Sequence, residues 1–480
     1  MRTQIIHVPA KSDNQKENAL FCMIMPAGLL AMADLLKKTG NSVQVVHAGM
    51  ETALQPKNGI ENILESFEPD IIAISMHWHH QMAAVRDVIN KAKKISSGSR
   101  IILGGMTASF FYREIMHEWN NVDFVIRGDG ELPLLALAKA LDGSGDFSGV
   151  PNFSYRKDGQ TRHNGLTYQA DDAMLNRLDF SNLALMRRPN TYGGLYGGAI
   201  GRSNSKMEPE DTRKSEKDGY FYLCCGRGCS AGCAWCAGST VSHMRMHGRR
   251  KPIFRHASRI ADDIQKAASH GYHRFYICFD PPGQSSPYMD MMRTLRDRNL
   301  SVSLIFEAYG QPPDDEFVLE FSKTFRKEHS AITLSPDTSD EKLRQFYKGK
   351  AAMTNSSIEK TLARCAKHGI KTELYFALLP GQNFTGLKKS HEWAKSLSEK
   401  YGCSLVFMPV EMEPGAPWHL NPSKYDVKPL CVSFNDFLER SAARDFSHPP
   451  KDPGYLFSGF ERQIDYILSE GLAARDYVTS

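Results

Sequence analysis

Cys229-Ser-Ala-Gly-Cys233-Ala-Trp-Cys236 is the stretch from which the fold and the chemistry of this 480-residue chain can be predicted. Its three cysteines are separated by three and then by two residues. Three thiolates at this spacing can ligate three irons of a [4Fe–4S] cluster and leave the fourth iron open to an outside ligand. An open metal position is typical of catalytic sites. The alternatives are a zinc knuckle, for which no fourth ligand is evident, and cysteines that pack as small apolar side chains.

The composition bounds the class of protein. Hydrophobic residues make up 41% of the chain and charged residues 24%, as in globular proteins, and the length predicts two or three domains. A net charge of +5 does not indicate nucleic-acid binding. Ten cysteines, three of them in a metal-binding spacing, favour a reducing compartment, so we expect a cytoplasmic protein. We find no signal-peptide pattern, and no apolar run reaches the roughly 18 residues of a membrane helix.

The first 145 residues alternate between strand and helix patterns. Short apolar runs predict strands at 5–8, 42–46, 70–75, 100–105 and 122–126. Strands separated by helical stretches predict a parallel sheet with helices on both faces. Ligands bind such sheets beyond the carboxyl ends of the strands.

Three of these strand ends are chemically distinctive. They carry Ser75-Met-His77-Trp-His79-His80, Gly104-Gly105-Met-Thr107 and Arg127-Gly128-Asp-Gly-Glu131. Glycines let the backbone approach a ligand closely, although any one of them alone is an ordinary turn glycine. Three such ends together indicate a binding site.

From residue 220 onward the strand–helix alternation resumes. Tyr220–Leu223 predicts a strand directly before the cysteine run, and further strands are predicted at 272–280, 301–307, 331–337 and 371–379. This pattern suggests a partial (β/α) barrel, in which the chemistry lies at the carboxyl ends of the strands. Cys224 and Cys225 are interpreted as strand residues, because the three-cysteine spacing is complete without them.

The cysteine run resembles the signature of the radical S-adenosylmethionine (SAM) superfamily. The resemblance implies that SAM binds the open iron and is cleaved reductively to a 5′-deoxyadenosyl radical. Trp235 occupies the position of an aromatic residue beside the adenine, and Glu307, Ser335 and Asp337 are implied to contact SAM or substrate. Asp280-Pro-Pro-Gly283 stands where many relatives carry Gly-Gly-Glu, which puts that contact with the SAM amino group in doubt.

Residues 1–145 resemble the cobalamin-binding domain that precedes many radical SAM domains. The resemblance rests on Pro26-Ala-Gly28-Leu29, the Gly104–Gly105 turn and the run 127–131. It implies cobalamin contacts from Ser75, His77, Gly104, Gly105, Thr107, Arg127, Gly128 and Glu131. The D-x-H-x-x-G motif is absent, so that motif supplies no histidine to cobalt. The alternatives are a packing role for the histidines and a nucleotide-binding or degenerate Rossmann unit.

These features predict an α/β protein with a Rossmann-like cobalamin-binding domain (1–145), a linker (146–219), a partial (β/α) barrel radical SAM domain (220–400) and a C-terminal region that shapes the substrate pocket (401–480). The implied reaction is methyl transfer to an unactivated carbon or to phosphorus of a small-molecule or natural-product substrate. A flavodoxin- or ferredoxin-type protein would supply electrons. One alternative is a cobalamin-dependent rearrangement or cyclisation enzyme, and another is an iron–sulfur sensor or electron carrier with a vestigial cobalamin fold.

Overall fold

The computed structural model describes residues 1–10, 25–54, 59–143, 145–189, 220–277, 285–444 and 452–472. The chain forms two compact units. The N-terminal unit comprises Met1–Leu195, Met244–Arg249 and Val432–Phe446, and the C-terminal unit comprises Tyr196–His243, Arg250–Cys431 and Ser447–Ser480. Neither unit is continuous in sequence, and the domain boundaries at 145, 219 and 400 stay predictions.

The N-terminal unit is built on a seven-stranded sheet with the strand order β2-β1-β3-β4-β5-β6-β7. Its strands are β1 (Arg2–His7), β2 (Ser42–His47), β3 (Ile71–Ser75), β4 (Arg100–Gly104), β5 (Phe124–Ile126), β6 (Phe153–Lys157) and β7 (Gln160–His163). The first five strands are parallel, as predicted, and the β6–β7 hairpin adds to β5 in the antiparallel sense. The strand order reverses between β1 and β3, which is where doubly wound sheets bind ligands.

The helices that accompany these strands are α1 (Gly28–Lys38), α2 (Ala48–Leu54), α3 (Ile60–Phe67), α4 (Met82–Ile95), α5 (Met106–Phe110), α6 (Tyr112–Glu118), α7 (Glu131–Asp142) and α8 (Asp172–Arg177). Helices α1 to α7 lie between these strands in the chain, and α8 follows β7. In α4 the buried side chains of Met82, Val85, Ile89 and Ala92 recur at helical spacing, which gives the helix one apolar face toward the core.

The C-terminal unit contains a six-stranded sheet whose strands follow one another in chain order, β8-β11-β12-β13-β14-β15. The strands are β8 (Tyr220–Tyr222), β11 (Arg274–Ile277), β12 (Ser303–Ala308), β13 (Ala331–Asp337), β14 (Lys371–Leu378) and β15 (Ser404–Pro409). All five pairings are parallel, as in part of a (β/α) barrel. Two small antiparallel pairs join β9 (Gly226–Arg227) to β10 (Ile253–Phe254) and β16 (Lys428–Pro429) to β17 (Tyr455–Leu456).

The helices that follow in the chain are α9 (Thr240–His247), α10 (Ala257–Ser269), α11 (Ser285–Asp297), α12 (Asp315–Thr324), α13 (Glu341–Lys348), α14 (Asn355–His368), α15 (Phe384–Tyr401), α16 (Pro417–Leu420), α17 (Phe434–Ala443) and α18 (Phe460–Ser469).

One face of the six-stranded sheet packs on some of these helices. The Phe306 ring of β12 lies 5.0 Å from the ring of Tyr288 and 5.0 Å from that of Phe317. Phe376 of β14 lies 6.0 Å from Trp393 of α15. Alternate side chains of these strands therefore point to the other face.

Helix α17 belongs to the N-terminal unit although it lies near the end of the chain. Its Ser441 Oγ accepts a hydrogen bond of 3.0 Å from the backbone N–H of Ala83, in the first turn of α4. A side-chain oxygen from a distant segment thus caps α4. Among the described helices, none is both long and apolar enough to cross a lipid bilayer.

Candidate functional site

The loop with the three cysteines follows β8 in the chain, at the end of the sheet where its parallel strands finish. The hydroxyl of Thr240 donates to the carbonyl of Cys229 at 2.8 Å. The N–H of Ala234 donates to the carbonyl of Tyr347 at 2.9 Å, and the N–H of Trp418 donates to the carbonyl of Ala234 at 2.9 Å. The loop is therefore held from both sides by backbone hydrogen bonds.

The three thiols lie on this one loop. Burial raises the pKa of each, and it raises that of Cys233 to about 11. Negative charge on Cys229 further raises the pKa of Cys233, and charge on either of these thiols raises that of Cys236. Cys229 Sγ accepts from the N–H of Ala231 at 3.3 Å, and Cys236 Sγ accepts from the N–H of Gly238 at 3.2 Å. Three thiols on one loop, with N–H donors aimed at two of the sulfurs, fit a [4Fe–4S] cluster.

The carboxylate of Glu413 lies beside this loop; the family resemblance covers the run Glu413–Pro417, but it assigned this carboxylate no role. Glu413 Oε2 accepts from the N–H of Ala237 at 2.5 Å, and burial raises the pKa of Glu413 to about 7. Its charge contributes to the raised pKa of Cys236. Trp235 is half-buried, with its ring centroid 5.9 Å from Tyr347 and 6.4 Å from Trp418. Its contact with adenine stays a prediction.

The inner face of the barrel sheet is polar. Because Phe306 packs on the helices, its neighbour Glu307 points to the opposite face. The Tyr276 hydroxyl donates to Glu307 Oε1, while the buried Oε2 has no hydrogen-bond partner among the described residues. Burial raises the pKa of Glu307 to about 8.

Glu373 is a second inner-face carboxyl. The strand register places Glu307, Thr333 and Glu373 side by side on β12, β13 and β14. Glu373 is 5% exposed, and its Oε1 has no hydrogen-bond partner within the described parts of the chain. Burial raises its pKa, and its charge also raises the pKa of Glu307. Glu373 was missed in the sequence, where the available signal was a single acidic residue among apolar strand residues.

Ser335 and Asp337 lie at the end of β13. The carbonyl of Ser335 accepts from Lys348 Nζ at 2.7 Å, and Asp337 Oδ2 pairs with the same ammonium at 2.8 Å. Arg344 is fully buried and donates to the carbonyls of Pro336, Thr338 and Met353. Arg344 thus holds the turn after β13, whereas SAM contacts of Ser335 and Asp337 stay predictions.

In the N-terminal unit, hydrogen bonds link the predicted strand ends. The N–H of Met76 donates to the carbonyl of Gly104 at 2.8 Å. The hydroxyl of Thr107 donates to the carbonyl of His77 at 3.0 Å. The N–H of Gly128 donates to Ser109 Oγ at 2.9 Å. Since Ser75 pairs in register with both His7 and Gly104, the residues proposed from sequence share one edge of the sheet.

Gly104, the last residue of β4, and Gly105, which follows it, differ in their surroundings. Gly105 has φ +107 and ψ 175, and a Cβ there would lie 2.7 Å from the carbonyl oxygen of Met76. The fold alone therefore requires glycine at 105. Among the described residues, the nearest atom to a Cβ on Gly104 would be the carbonyl oxygen of Ile126, at 3.9 Å. The edge is open at Gly104, which fits a ligand bound outside the strand ends.

Other residues at this edge take part in packing. The Arg127 guanidinium lies 4.4 Å from the centre of the Tyr112 ring and donates to the carbonyl of Asn164. Glu131 is the first residue of α7 and is fully buried. His77 is half-exposed, whereas His79 and His80 are buried. Cobalamin contacts of Arg127, Glu131 and His77 stay predictions.

His7 and His47 form a histidine pair that the sequence analysis did not include. They are register partners at the ends of β1 and β2, and their ring centroids lie 4.9 Å apart. Both are buried next to the point where the strand order reverses. The segment 280–283, discussed in the sequence analysis, lies outside the described residues.

Comparison with known families agrees with both halves of this description. Residues 23–138 match the model of the B12 binding domain, and residues 223–394 match that of the radical SAM superfamily. The chain joins a B12-binding domain to a radical SAM domain. The predicted fold class, with the Rossmann-like domain first and the partial barrel after it, is confirmed.

Relatives of known name resemble parts of the chain. An uncharacterized methyltransferase of Pyrococcus horikoshii is 23% identical over 46% of this chain and 42% of its own length. The hopanoid C-3 methylase of Methylococcus capsulatus is 25% identical over 28% of this chain and 25% of its own length. The chain thus spans less than half of each of these curated relatives.

Among solved structures, the radical SAM methyltransferase TsrM of Kitasatospora setae, with tryptophan substrate and a SAM analog bound, has a similar fold. The TM-score is 0.68 at 14% identity, and the match covers 97% of this chain and 88% of that protein. At this identity the likeness concerns the fold.

Proposed function

We propose that this chain is a cobalamin-dependent radical SAM methyltransferase. The observation that carries the proposal is the position of Cys229, Cys233 and Cys236 on one loop that follows the first strand of a partial-barrel sheet, in a chain that also has a B12-binding domain. The relatives named above are called methyltransferases or methylases, which favours methyl transfer.

The chain's own residues would hold three cofactors. The three cysteines would ligate the [4Fe–4S] cluster, with the N–H groups of Ala231 and Gly238 donating to the sulfurs. Trp235, Glu307, Ser335 and Asp337 are proposed to bind SAM or the substrate. Ser75, His77, Gly104, Gly105, Thr107, Arg127, Gly128 and Glu131 are proposed to bind or frame cobalamin. When bound, these groups supply the electron that cleaves SAM, the radical that activates the substrate and the carrier of the methyl group.

The polar inner face of the barrel sheet favours the binding of a polar group of the substrate or of a cofactor. Glu307 and Glu373 each present a buried carboxyl oxygen without a hydrogen-bond partner in the described chain. An unpaired buried oxygen of this kind costs free energy, which a donor on a bound ligand would offset. We therefore propose that N–H or O–H groups of SAM or of the substrate bind at these two carboxyls.

The decisive experiment measures both by-products of SAM. The protein, reconstituted anaerobically with iron, sulfide and cobalamin, is incubated with methyl-labelled SAM, dithionite and candidate small-molecule substrates. Radical methyl transfer should give one 5′-deoxyadenosine and one S-adenosylhomocysteine per labelled product. The matched control is the protein with Cys229, Cys233 and Cys236 all replaced by alanine, which should give no 5′-deoxyadenosine.

Other outcomes would point to other functions. A rearrangement or cyclisation enzyme gives 5′-deoxyadenosine with neither S-adenosylhomocysteine nor labelled product. Absence of both by-products from a protein with a full cluster indicates a sensor or an electron carrier. A flavodoxin- or ferredoxin-type donor and a cytoplasmic location remain part of the proposal.

A further inference from the structure

Lys348 is a buried cation at the end of α13. It is 2% exposed, and its ammonium pairs with Asp337 Oδ2 at 2.8 Å and donates to the carbonyl of Ser335 at 2.7 Å. A buried ammonium requires such partners, because loss of hydration is expensive. The position of this charge is therefore fixed by the end of β13.

The partner carboxylate is held in an unusual backbone conformation. Asp337 has φ +62, and the pairing of β13 with β14 is irregular between Leu334 and Asp337. Non-glycine residues seldom adopt this region, at a cost of about 1–3 kcal/mol. Arg344 stabilises the segment by donating to the carbonyls on either side, those of Pro336 and Thr338.

The ion pair adjoins the cysteine loop. The carbonyl of Tyr347, the residue before Lys348, accepts the N–H of Ala234, the residue after Cys233. This backbone hydrogen bond, 2.9 Å long, brings the segment that carries Lys348 alongside the segment that carries Cys233.

We propose that the Lys348 ammonium sets the reduction potential of the cluster held by Cys229, Cys233 and Cys236, with Asp337 as the counter-ion that moderates its charge. This inference rests on the proposed cluster. One electron from dithionite, or from a flavodoxin- or ferredoxin-type donor, would convert the 2+ cluster to the 1+ cluster. Added negative charge is stabilised by a nearby cation, and most strongly where water is excluded. Lys348 affects the reaction only through the positive charge that it holds near the cluster, so it is a positioning residue.

The test is a redox titration of the reconstituted protein, monitored by the electron paramagnetic resonance signal of the reduced cluster, without SAM. In Lys348→Met the ratio of reduced to oxidised cluster at a fixed potential should fall about tenfold, which corresponds to about 59 mV for one electron. Asp337→Asn should change the ratio in the opposite direction. Lys348→Arg should restore it, and Lys350→Met, at an exposed position two residues on, should leave it unchanged.

The two variants should change the ratio of reduced to oxidised cluster in opposite directions. This separates the proposed role from damage to the fold, because a loosened loop would change the ratio in the same direction in both variants. Equal or absent shifts in Lys348→Met and Asp337→Asn, with full clusters, would overturn the inference while leaving the proposed function intact. If Lys348→Met loses its cluster, the redox titrations of the Asp337→Asn and Lys348→Arg proteins decide whether the inference holds. A wild-type protein that forms no [4Fe–4S] signal would overturn both this inference and the proposed function.

Discussion

Gly104 and Gly105 are neighbours, yet a methyl group at each would meet different surroundings. Gly105→Ala places a Cβ 2.7 Å from the Met76 carbonyl oxygen, in a backbone conformation that is nearly confined to glycine. It should lower the free energy of unfolding by at least about 1–3 kcal/mol. Gly104→Ala should lower it by no more than about 0.5 kcal/mol but should reduce bound cobalamin. Urea unfolding and the corrinoid absorbance per protein measure the two effects.

The two variants control for each other. If Gly104→Ala retains full corrinoid absorbance, Gly104 does not contact cobalamin. If Gly105→Ala unfolds at the same urea concentration as the wild type, the contact with Met76 is not what requires the glycine.

Glu307 makes the unfolding free energy depend on pH. Its pKa is about 8 in the folded chain, against an ordinary value of 4.5. Between these values the folded state holds a proton that the unfolded state lacks, so stability is lost as the pH rises from 4.5 to 8. Glu307→Gln should remove much of this loss. Relative to wild type, the variant should gain on the order of 1–3 kcal/mol between pH 5 and pH 8.5, measured by urea unfolding.

The matched control is Glu399→Gln, whose carboxyl is exposed on α15. It should show the same pH dependence as the wild type, because water already solvates its charge. A Glu307→Gln protein that keeps the wild-type pH dependence would contradict the assignment of Glu307 as a proton-holding group in the free protein.

Residues of the candidate site could be predicted where they lie close together in the sequence, and not where they come from distant segments. Cys229, Cys233 and Cys236 could be singled out because the three cysteines lie on one short loop. Glu373 lies 66 residues after Glu307 and meets it only through the strand register. Asp337 was predicted from the sequence as a SAM contact, but its ion pair with Lys348 forms only where the turn after β13 brings the two side chains together. Side chains from separate elements are the ones that sequence pattern misses.

At the scale of elements, the connection between α17 and α4 is open to test. The Ser441 hydroxyl accepts from the N–H of Ala83 and donates to the carbonyl of Leu438. Ser441→Ala should cost about 0.5–2 kcal/mol, as other losses of an N-terminal cap do. Hydrogen exchange should become faster in the first turn of α4 and stay unchanged in α1. Unchanged exchange at Ala83 would show that α17 does not hold this helix end.

The strands were predictable because their runs are apolar and short. β1, β3 and β4 are buried on both faces, and β3 and β4 consist mostly of Ile, Leu and Ala, whereas β1 adds the buried polar residues Thr3, Gln4 and His7 to Ile5 and Ile6. β15 was not anticipated, since Ser404–Pro409 lies in a region interpreted as a substrate-pocket tail. The place of α17 could not be predicted, because helical periodicity shows that an apolar face exists and not which element covers it.

The residues proposed to hold the cluster and those proposed to bind cobalamin lie in different compact units. Replacement of Cys229, Cys233 and Cys236 by alanine should therefore abolish the cluster's absorbance and resonance signal and leave corrinoid binding unchanged. Gly104→Ala should do the reverse. Cys224→Ala, just outside the spacing, should keep both signals. Loss of corrinoid from the triple variant would contradict independent loading.

Because the N-terminal unit is assembled from segments that lie far apart in the sequence, part of it is synthesised late. Its last segment, Val432–Phe446, is synthesised about 240 residues after Leu195. At roughly 5–20 residues per second, the nascent sheet waits on the order of 10–50 s on the ribosome before α17 exists. During that interval the first turn of α4 lacks the Ser441 hydroxyl, and the apolar surface that α17 later covers is open to chaperones. Slow decoding between residues 195 and 432 would lengthen this exposure and lower the yield of folded protein.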